Sequence, residues 1–390
     1  MRLLIVQFAG DYRETVQRFA KGGGETYYAQ KYSVDAVAEI GKNIEEVAVI
    51  CCLTTESYDE ILPNGVRAIG AGFHQKIDLK KLIELIQNQK PTHLVLRTPI
   101  RELFQWAIRN QVKTLATLAD SFSTEGLRNK IRNHRLVAAL NHPQIEWVGN
   151  HGINSCRSLQ KIGVNPHKII PWDWPAMIAP DSFSPKMLSS AENPRNLFYV
   201  GSVSASKGVG DVLAAVAQLK AQNFSVHLKI AGAGETDFFI HQTKQLQIED
   251  CVTFLGLVEN QAVVHLMREA DLVLIPSRHE YPEGFPMTIY EALCSRTPIV
   301  ASDHPMFQNY LKNGINAMIF PASNSTALSE KIEKLLSDPT LYHHLSVAAA
   351  EAWKQLQIPV KWADLLNRWL NSSEENRNWL LAHTLAARIY

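Results

Sequence analysis

The chain has 390 residues, of which 46% are hydrophobic and 20% charged, and its 39 Lys and Arg nearly balance its 38 Asp and Glu. A chain of this length exceeds what one hydrophobic core usually holds, which predicts two domains. The lack of a basic excess argues against a nucleic-acid-binding protein. No apolar run in the sequence reaches the roughly 18 residues that a membrane-spanning helix needs.

Short, unbroken apolar runs, typical of parallel strands covered on both faces, recur along the chain. They predict strands at 3–8, 47–53, 93–96, 114–119, 146–149, 197–201, 227–232, 253–256, 271–277 and 298–302. Longer stretches between them predict helices at 79–89, 101–110, 208–222, 260–269, 287–295 and 325–337. We interpret the first run as a strand rather than a signal peptide, because Asp11 and Glu14 follow it at once. The alternation predicts an α/β fold of doubly wound parallel sheets.

The alternation starts twice, on either side of a proline-rich segment. Five prolines lie between residues 171 and 194, and proline can neither donate to a strand ladder nor vary its φ. The segment therefore predicts a linker without regular structure and a boundary near residue 190. We expect two Rossmann-like domains that face a cleft, over residues 1–190 and 191–365.

The densest group of candidate functional residues is the segment 276–293, PSRHEYPEGFPMTIYEAL. A strand ends at Ser277, and a helix begins near Pro286, because proline is favoured in a first helical turn. The free amides of such a turn attract phosphate, and ligands of open α/β sheets bind at the carboxyl ends of strands. Glu283 and Glu291 flank this anion site, and vicinal sugar hydroxyls are suitable partners for a carboxylate. Taken singly, either glutamate is more simply a solvated side chain.

The complete string, with seven residues between Glu283 and Glu291, resembles the paired-glutamate motif of the family-4 retaining glycosyltransferases of GT-B fold, the glycosyl transferases group 1. The resemblance implies that Glu283 is catalytic and meets the donor hexose, while Glu291 binds the ribose hydroxyls. It also assigns four backbone amides to the donor, those of Gly284 and Phe285 beside the sugar and those of Met287 and Thr288 facing the diphosphate.

Residues 197–208 resemble the strand, loop and helix that open the donor domain of this family. The resemblance places Gly201, Ser202 and Lys207 at the donor. It makes Lys207 the catalytic cation for the diphosphate leaving group, whose charge grows in the transition state. Many members carry arginine where this chain has Ser202, so Arg278 is a candidate second cation, although an exposed arginine there is as often a surface residue.

Three further donor contacts follow from the same resemblance. Gly232, in the turn after a strand, and Val258, whose backbone is expected to face the base, lie in the second half. Gly23 and Gly24 correspond to a glycine pair that faces the diphosphate, since glycine permits close approach of the backbone. Tight packing at Gly232 and a flexible surface loop at 22–24 remain the structural alternatives. The family also implies that the final helix, 366–390, crosses back to the first domain.

One loop departs from the family pattern. Many relatives place a histidine where Ala119 stands, near the donor sugar, whereas Asp120 remains as a candidate catalytic residue that hydrogen-bonds a hydroxyl of donor or acceptor. Asn150 and His151, at the next strand end, are candidates to compensate, although a lone loop histidine is more often structural.

The run 128–135, RNKIRNHR, carries four permanent positive charges. The simpler interpretation is a helix face that is exposed to solvent. The functional interpretation is that these charges attract a phosphorylated or lipid-linked acceptor or an anionic membrane surface. The 14 histidines show no metal-binding pattern, and five sparse cysteines fit a reducing cytosol. We therefore expect no metal and no cofactor, and a cytoplasmic protein, with contact to the inner membrane face as an open alternative.

These observations predict a retaining glycosyltransferase that moves a hexosyl group from a UDP- or GDP-sugar to a hydroxyl of a carbohydrate or lipid-linked acceptor. Residues 1–190 are the expected acceptor side and 191–365 the donor-binding side. One alternative is a nucleotide-sugar epimerase or a phosphorylase of the same fold. Another is a non-catalytic partner subunit, which is suggested by the departures from the family pattern at Ser202 and Ala119. A nicotinamide dehydrogenase is disfavoured, because no dinucleotide-binding glycine fingerprint follows a strand.

Overall fold

The computed structural model describes residues 1–74, 76–124, 126–188 and 194–388. The chain divides into two compact units. Unit 1 comprises residues 1–24, 29–175 and 358–390, and unit 2 comprises residues 25–28 and 176–357. The predicted boundary near residue 190 lies outside the described residues.

Unit 1 is built on an eight-stranded sheet in the order β3-β4-β2-β1-β5-β6-β7-β8. Its strands are β1 (Arg2–Gln7), β2 (Glu46–Leu53), β3 (Ser57–Ile61), β4 (Arg67–Phe73), β5 (His93–Leu96), β6 (Lys113–Leu118), β7 (Ile145–His151) and β8 (Ile169–Trp172). All neighbours are parallel except β3 and β4, which form an antiparallel hairpin. The central strands are buried on both faces, as their unbroken apolar runs predict.

Between and after these strands, the described residues form the helices α1 (Tyr12–Ala20), α2 (Gln30–Gly41), α3 (Leu79–Asn88), α4 (Arg101–Arg109), α5 (Leu127–Leu140) and α6 (Ile153–Ile162). They are amphipathic, so that α3, for example, buries Leu82 and Ile86 against the core. The Asp78 carboxylate caps that helix by accepting from the amides of Lys80 and Lys81.

Unit 2 contains a six-stranded parallel sheet in the order β11-β10-β9-β12-β13-β14. Its strands are β9 (Arg195–Val200), β10 (Val226–Ala231), β11 (Val252–Gly256), β12 (Leu272–Ile275), β13 (Ile299–Ser302) and β14 (Met318–Phe320). Its helices are α7 (Val209–Ala221), α8 (Thr236–Gln245), α9 (Asn260–Glu269), α10 (Met287–Ser295), α11 (Ser325–Ser337) and α12 (Pro339–Leu356). This strand order reverses between β9 and β12, which is the switch point where open α/β sheets bind ligands.

The chain then adds α13 (Trp362–Leu370) and α14 (Glu374–Ala382) to unit 1. The Trp369 indole donates to Glu146, and the amide of Leu385 donates to the carbonyl of Ile169 at 2.7 Å. The last segment is therefore anchored to the β7 and β8 side of the unit 1 sheet.

The expectation that residues 171–194 lack regular structure was wrong at two places. Pro171 lies within β8, and Pro180–Ser182 form a short 3-10 helix. A strand tolerates proline where one side has no neighbour to bond, and β8 is the edge of its sheet. Within the described ranges, no helix is long and apolar enough to cross a bilayer.

Candidate functional site

The candidate site lies where β9 and β12 end side by side in unit 2. The two strands pair in parallel, with Leu197 opposite Leu272 and Phe198 opposite Val273. The chain after β9 leads to Lys207, and the chain after β12 leads to Ser277 and onward to Glu283. Both loops therefore leave the sheet at the same edge.

Two glycines allow the loops at this edge to pack against each other. Gly208 has a φ of +75°, and a Cβ atom on it would lie 2.1 Å from the carbonyl oxygen of Pro276. Gly232 has a φ of +136°, and a Cβ atom there would lie 1.8 Å from the carbonyl oxygen of Gly201. No other residue type fits such contacts. Close backbone packing accounts for Gly232 structurally, and its donor contact stays a prediction.

The centre of the site is a buried ion pair between the predicted catalytic residues Lys207 and Glu283. The Lys207 Nζ lies 2.5 Å from the Glu283 Oε1, and the Ser277 hydroxyl donates to the same oxygen at 2.6 Å. The side chains are only 15% and 8% exposed. Among the described residues, Glu283 Oε2 accepts no hydrogen bond, and this oxygen is not enclosed. A ligand hydroxyl can therefore reach it.

Tyr281 and His304 hold this pair in place, and sequence reasoning missed both. The Lys207 Nζ lies 4.1 Å from the centroid of the Tyr281 ring, a cation–π contact. The Tyr281 carbonyl accepts from the Glu283 amide at 2.8 Å and lies 3.1 Å from His304 Nε2. Burial lowers the pKa of His304. Its position directly after β13, at the same sheet edge, is a signal that could have found it.

Helix α10 begins next to this pair. Pro286 is its N-cap, so that Met287 and Thr288 lie in the first turn, where backbone amides have no partner within the helix. Phe285 is buried against the rings of Tyr290 and Tyr310, at centroid distances of 6.2 and 5.6 Å. This packing holds the Gly284 to Thr288 backbone at the site.

Glu291 lies one turn further along α10 and is buried. Its Oε1 accepts from the Asn260 side chain at 3.0 Å, and burial raises the pKa of Glu291 to about 7. The residue lines a cavity of about 330 Å³. Side chains that line this cavity include Tyr28, Asn260, Val264, Tyr290 and Cys294. Asn260 is a third residue that sequence reasoning missed, since a lone polar residue at the start of α9 gives no signal.

Arg278 was predicted as a second cation for the donor diphosphate, but in the structure it pairs with a carboxylate of its own unit. Its guanidinium forms a two-point ion pair with the buried carboxylate of Asp211, at 2.7 and 2.8 Å. Its charge is therefore balanced within unit 2. Ser202 is exposed, and its carbonyl accepts from the Tyr199 hydroxyl at 2.7 Å. Val258 is half-buried shortly before α9 and packs against the core.

The remaining predicted residues belong to unit 1. Gly23 is exposed, and the carbonyl of Gly24 accepts from the Arg18 guanidinium at 3.0 Å. Asp120 follows β6; burial raises the pKa of its carboxyl group, and its carbonyl accepts from the Asn150 side chain at 2.9 Å. The structure thus groups Lys207, Glu283 and Glu291 within one unit and places Asp120 in the other.

His151 is buried, and its contacts are those of a residue with a structural role. Its Nε2 lies 3.0 Å from Asp173 Oδ1, and its ring stacks on Trp172 at 4.6 Å between centroids. The amide of Trp174 donates to the same carboxylate oxygen at 2.8 Å. Among the described residues, no group of three or more His, Cys, Asp or Glu is placed to hold a metal ion. That the reaction needs no metal stays a prediction.

Comparison with known proteins decides the family. The family model described as "Glycosyl transferases group 1" matches residues 182–352. This chain contains a glycosyl transferases group 1 domain. The domain covers the whole sheet of unit 2, including Lys207, Glu283 and Glu291. The predicted membership of glycosyl transferases group 1 is therefore confirmed for residues 182–352.

The relatives of this glycosyl transferases group 1 domain match over part of their length. The amylovoran biosynthesis glycosyltransferase AmsK of Erwinia amylovora is 25% identical over 181 residues, which are 43% of this chain and 44% of AmsK. Glycogen synthase of Mycobacterium tuberculosis is 27% identical over 159 residues, which are 40% of this chain and 38% of that protein. The chain thus spans less than half the length of these curated relatives.

Solved structures match more than nine tenths of the chain and show its fold. Sucrose-phosphate synthase from Thermosynechococcus elongatus aligns with a TM-score of 0.68 and 16% identity, over 95% of this chain and 98% of that one. Anabaena HepE, solved in complex with UDP, aligns with a TM-score of 0.64 and 16% identity, over 91% and 95%. The predicted GT-B fold, with two α/β units, is confirmed.

Proposed function

We propose that the protein is a retaining glycosyltransferase that transfers a hexosyl group from a UDP- or GDP-sugar to a hydroxyl of a glycan or lipid-linked acceptor. The observation that carries the proposal is the buried Lys207–Glu283 pair beside the first turn of α10, at the switch point of unit 2. The names of the relatives support a role in polysaccharide or glycoconjugate synthesis. Structures of HepE with UDP and with UDP-glucose support a nucleotide-sugar donor.

In this proposal the diphosphate lies against the α10 amides and Lys207. The bond between the anomeric carbon and the phosphate oxygen breaks, and the electron pair leaves with the nucleotide. Lys207 then stabilises the charge that grows on the leaving oxygen, in a pocket where the ammonium is largely shielded from water. The first-turn amides of α10 add a second, preorganised source of positive potential.

Glu283 orients the sugar rather than attacking it. Its Oε1 is held by Lys207 and Ser277, which leaves Oε2 to accept from a hexose hydroxyl. Front-face substitution, as the family implies, lets the departing phosphate take the proton of the acceptor hydroxyl while the acceptor oxygen bonds to the same face of the anomeric carbon. The protein then contributes orientation and charge stabilisation.

Glu291 is the proposed ribose contact. Its Oε1 is held by Asn260 at 3.0 Å, and its Oε2 accepts no hydrogen bond from a described residue. Two vicinal hydroxyls that donate to this carboxylate favour its charged form and offset the effect of burial. The adjacent cavity of about 330 Å³ gives the nucleoside room to enter.

Calorimetric titration with UDP, GDP and ADP, without added metal, tests the donor site. We expect one of the three to bind at micromolar concentration and Glu291→Ala to weaken this binding by roughly ten- to a hundredfold. NMR of the product formed from the matching nucleotide sugar then reports the anomeric configuration. Inversion at the anomeric carbon would contradict the retaining mechanism.

The same titration separates the alternatives. Two observations favour a non-catalytic partner subunit: Ser202 is exposed where many relatives carry arginine, and Ala119 stands where many carry histidine. No binding of any nucleotide would support that alternative. Turnover of a nucleotide sugar with water or phosphate, but not with sugar acceptors, would indicate an epimerase or a phosphorylase.

A further inference from the structure

Helix α5 of unit 1 is strongly basic and exposes two large apolar side chains. Its 14 residues, LRNKIRNHRLVAAL, include Arg128, Lys130, Arg132 and Arg135 and no acidic residue. Leu127 is 76% exposed and Ile131 49% exposed. Exposed leucine and isoleucine are unremarkable when scattered singly, but here they are neighbours within a charged helix.

The helical geometry orders these residues on one face. Leu127 and Ile131 are four residues apart, which places them one above the other, and at 100° per residue Arg128, Arg132 and Lys130 fall on the two sides of that line. The opposite face packs into the core of the unit through Asn133, Leu136, Ala139 and Leu140, which are buried. The solvent face is therefore apolar along its centre and basic at its rims.

Within the part of the chain that the structure describes, the cations of this face have no counter-ions. None of the four basic side chains forms an ion pair or a side-chain hydrogen bond with a described residue. Elsewhere in the unit, a partly exposed arginine does find a carboxylate, as Arg67 does with Asp59 at 2.7 Å. Four like charges on one helix repel each other. An external anionic surface would remove this repulsion.

We propose that the solvent face of α5 docks on the surface of an anionic lipid bilayer. Basic side chains are attracted to anionic headgroups, and an amphipathic helix of this kind lies in the interface with its apolar side chains inserted. A soluble polyanion would satisfy the arginines but offers nothing to Leu127 and Ile131. The inference does not depend on the proposed enzymatic function, because it concerns a surface of unit 1 and needs no turnover.

Flotation of the full-length protein with lipid vesicles tests the proposal. We expect the protein to float with vesicles of equal parts phosphatidylcholine and phosphatidylglycerol at low salt, and not with pure phosphatidylcholine. Arg128→Gln combined with Arg132→Gln should weaken this partitioning about fivefold for each charge. Leu127→Ser combined with Ile131→Ser should weaken it about tenfold and mainly affect the binding that persists at high salt.

The matched control is Lys80→Gln combined with Arg109→Gln, two exposed basic residues of α3 and α4 in the same unit. It removes the same charge and should weaken flotation much less. All substituted side chains are exposed, and circular dichroism melts confirm that each variant folds. Equal losses in control and α5 variants would overturn the proposal, as would no flotation of the wild-type chain. Binding to soluble polyphosphate without binding to vesicles would also overturn it.

Discussion

Each unit contains a buried pair of oppositely charged residue types at the carboxyl edge of its sheet, and the two pairs differ in what surrounds them. Lys207 and Glu283 lie 2.5 Å apart in unit 2, with one carboxylate oxygen left accessible. His151 and Asp173 lie 3.0 Å apart in unit 1, where the histidine stacks on Trp172 and the second carboxylate oxygen is enclosed. The first pair can meet a ligand, whereas the second is enclosed by the stacked Trp172 ring and by Lys361, whose Nζ lies 3.9 Å from Asp173 Oδ2. Residue type and location at a strand end therefore do not suffice to identify a site.

Asp173→Ala should have the largest effect, on stability. It leaves the His151 ring and the Trp174 amide without their acceptor in a buried place, which typically costs about 3–5 kcal/mol. Urea unfolding measures the loss, and nucleotide affinity below the transition serves as the control. If the free energy of unfolding is unchanged while turnover is lost, the His151–Asp173 pair belongs to the active site and is not purely structural.

Lys207→Ala should lower turnover by about 10²–10³-fold, because it removes the preorganised charge that is proposed to stabilise the leaving group. The binding of free nucleotide should fall much less. Steady-state kinetics and calorimetry give the two numbers, with Lys220→Ala, an exposed lysine of unit 2, as the matched control. Equal losses in turnover and in binding would mean that Lys207 stabilises only the ground state.

Glu291→Ala should weaken nucleotide binding by about 1.5–3 kcal/mol, because hydrogen bonds to a charged group are lost. This is roughly a ten- to hundredfold change in dissociation constant. Calorimetry on the folded variant measures it. An unchanged constant would remove Glu291 from the donor site and leave its burial as a purely structural feature.

The pH dependence of nucleotide affinity should be the smallest of these effects. Burial raises the pKa of Glu291 to about 7, so the carboxylate that is proposed to accept from ribose is mostly protonated at pH 6 and mostly charged at pH 8. Affinity should therefore rise by about tenfold across this interval. The rise should vanish in Glu291→Gln, and a rise that persists in this variant would assign the titration to another group.

The sequence predicted those elements of the fold that carry an unbroken apolar run. The runs at 47–53 and 93–96 lie within β2 and β5, and the helix predicted at 260–269 matches α9. Four strands were missed, among them β4 and β14. The other two were missed for physical reasons: β3 (SYDEI) is exposed and has no apolar run, and β8 contains a proline. Neither strand resembles a central parallel strand, because both are at sheet edges.

The candidate site was predictable as a set of residues but not as a set of contacts. Lys207 and Glu283 are 76 positions apart, and no local pattern reports that their loops meet at Gly208 and Pro276. The partner of Arg278 was equally invisible, since Asp211 lies within a helix of another segment. His304 was missed because its role depends on one carbonyl oxygen, that of Tyr281. Contacts of this kind follow from the topology and not from the motif.

The 2.5 Å contact between Lys207 and Glu283 also acts as an internal counter-ion. An incoming anion must compete with Glu283 for the ammonium of Lys207. A monovalent ion such as chloride gains too little electrostatic free energy from Lys207 to compete. A diphosphate carries enough charge to share the ammonium and still benefit from the α10 amides. In the proposed donor site, the ion pair would thus favour ligands of high negative charge over the small anions that are always present in excess.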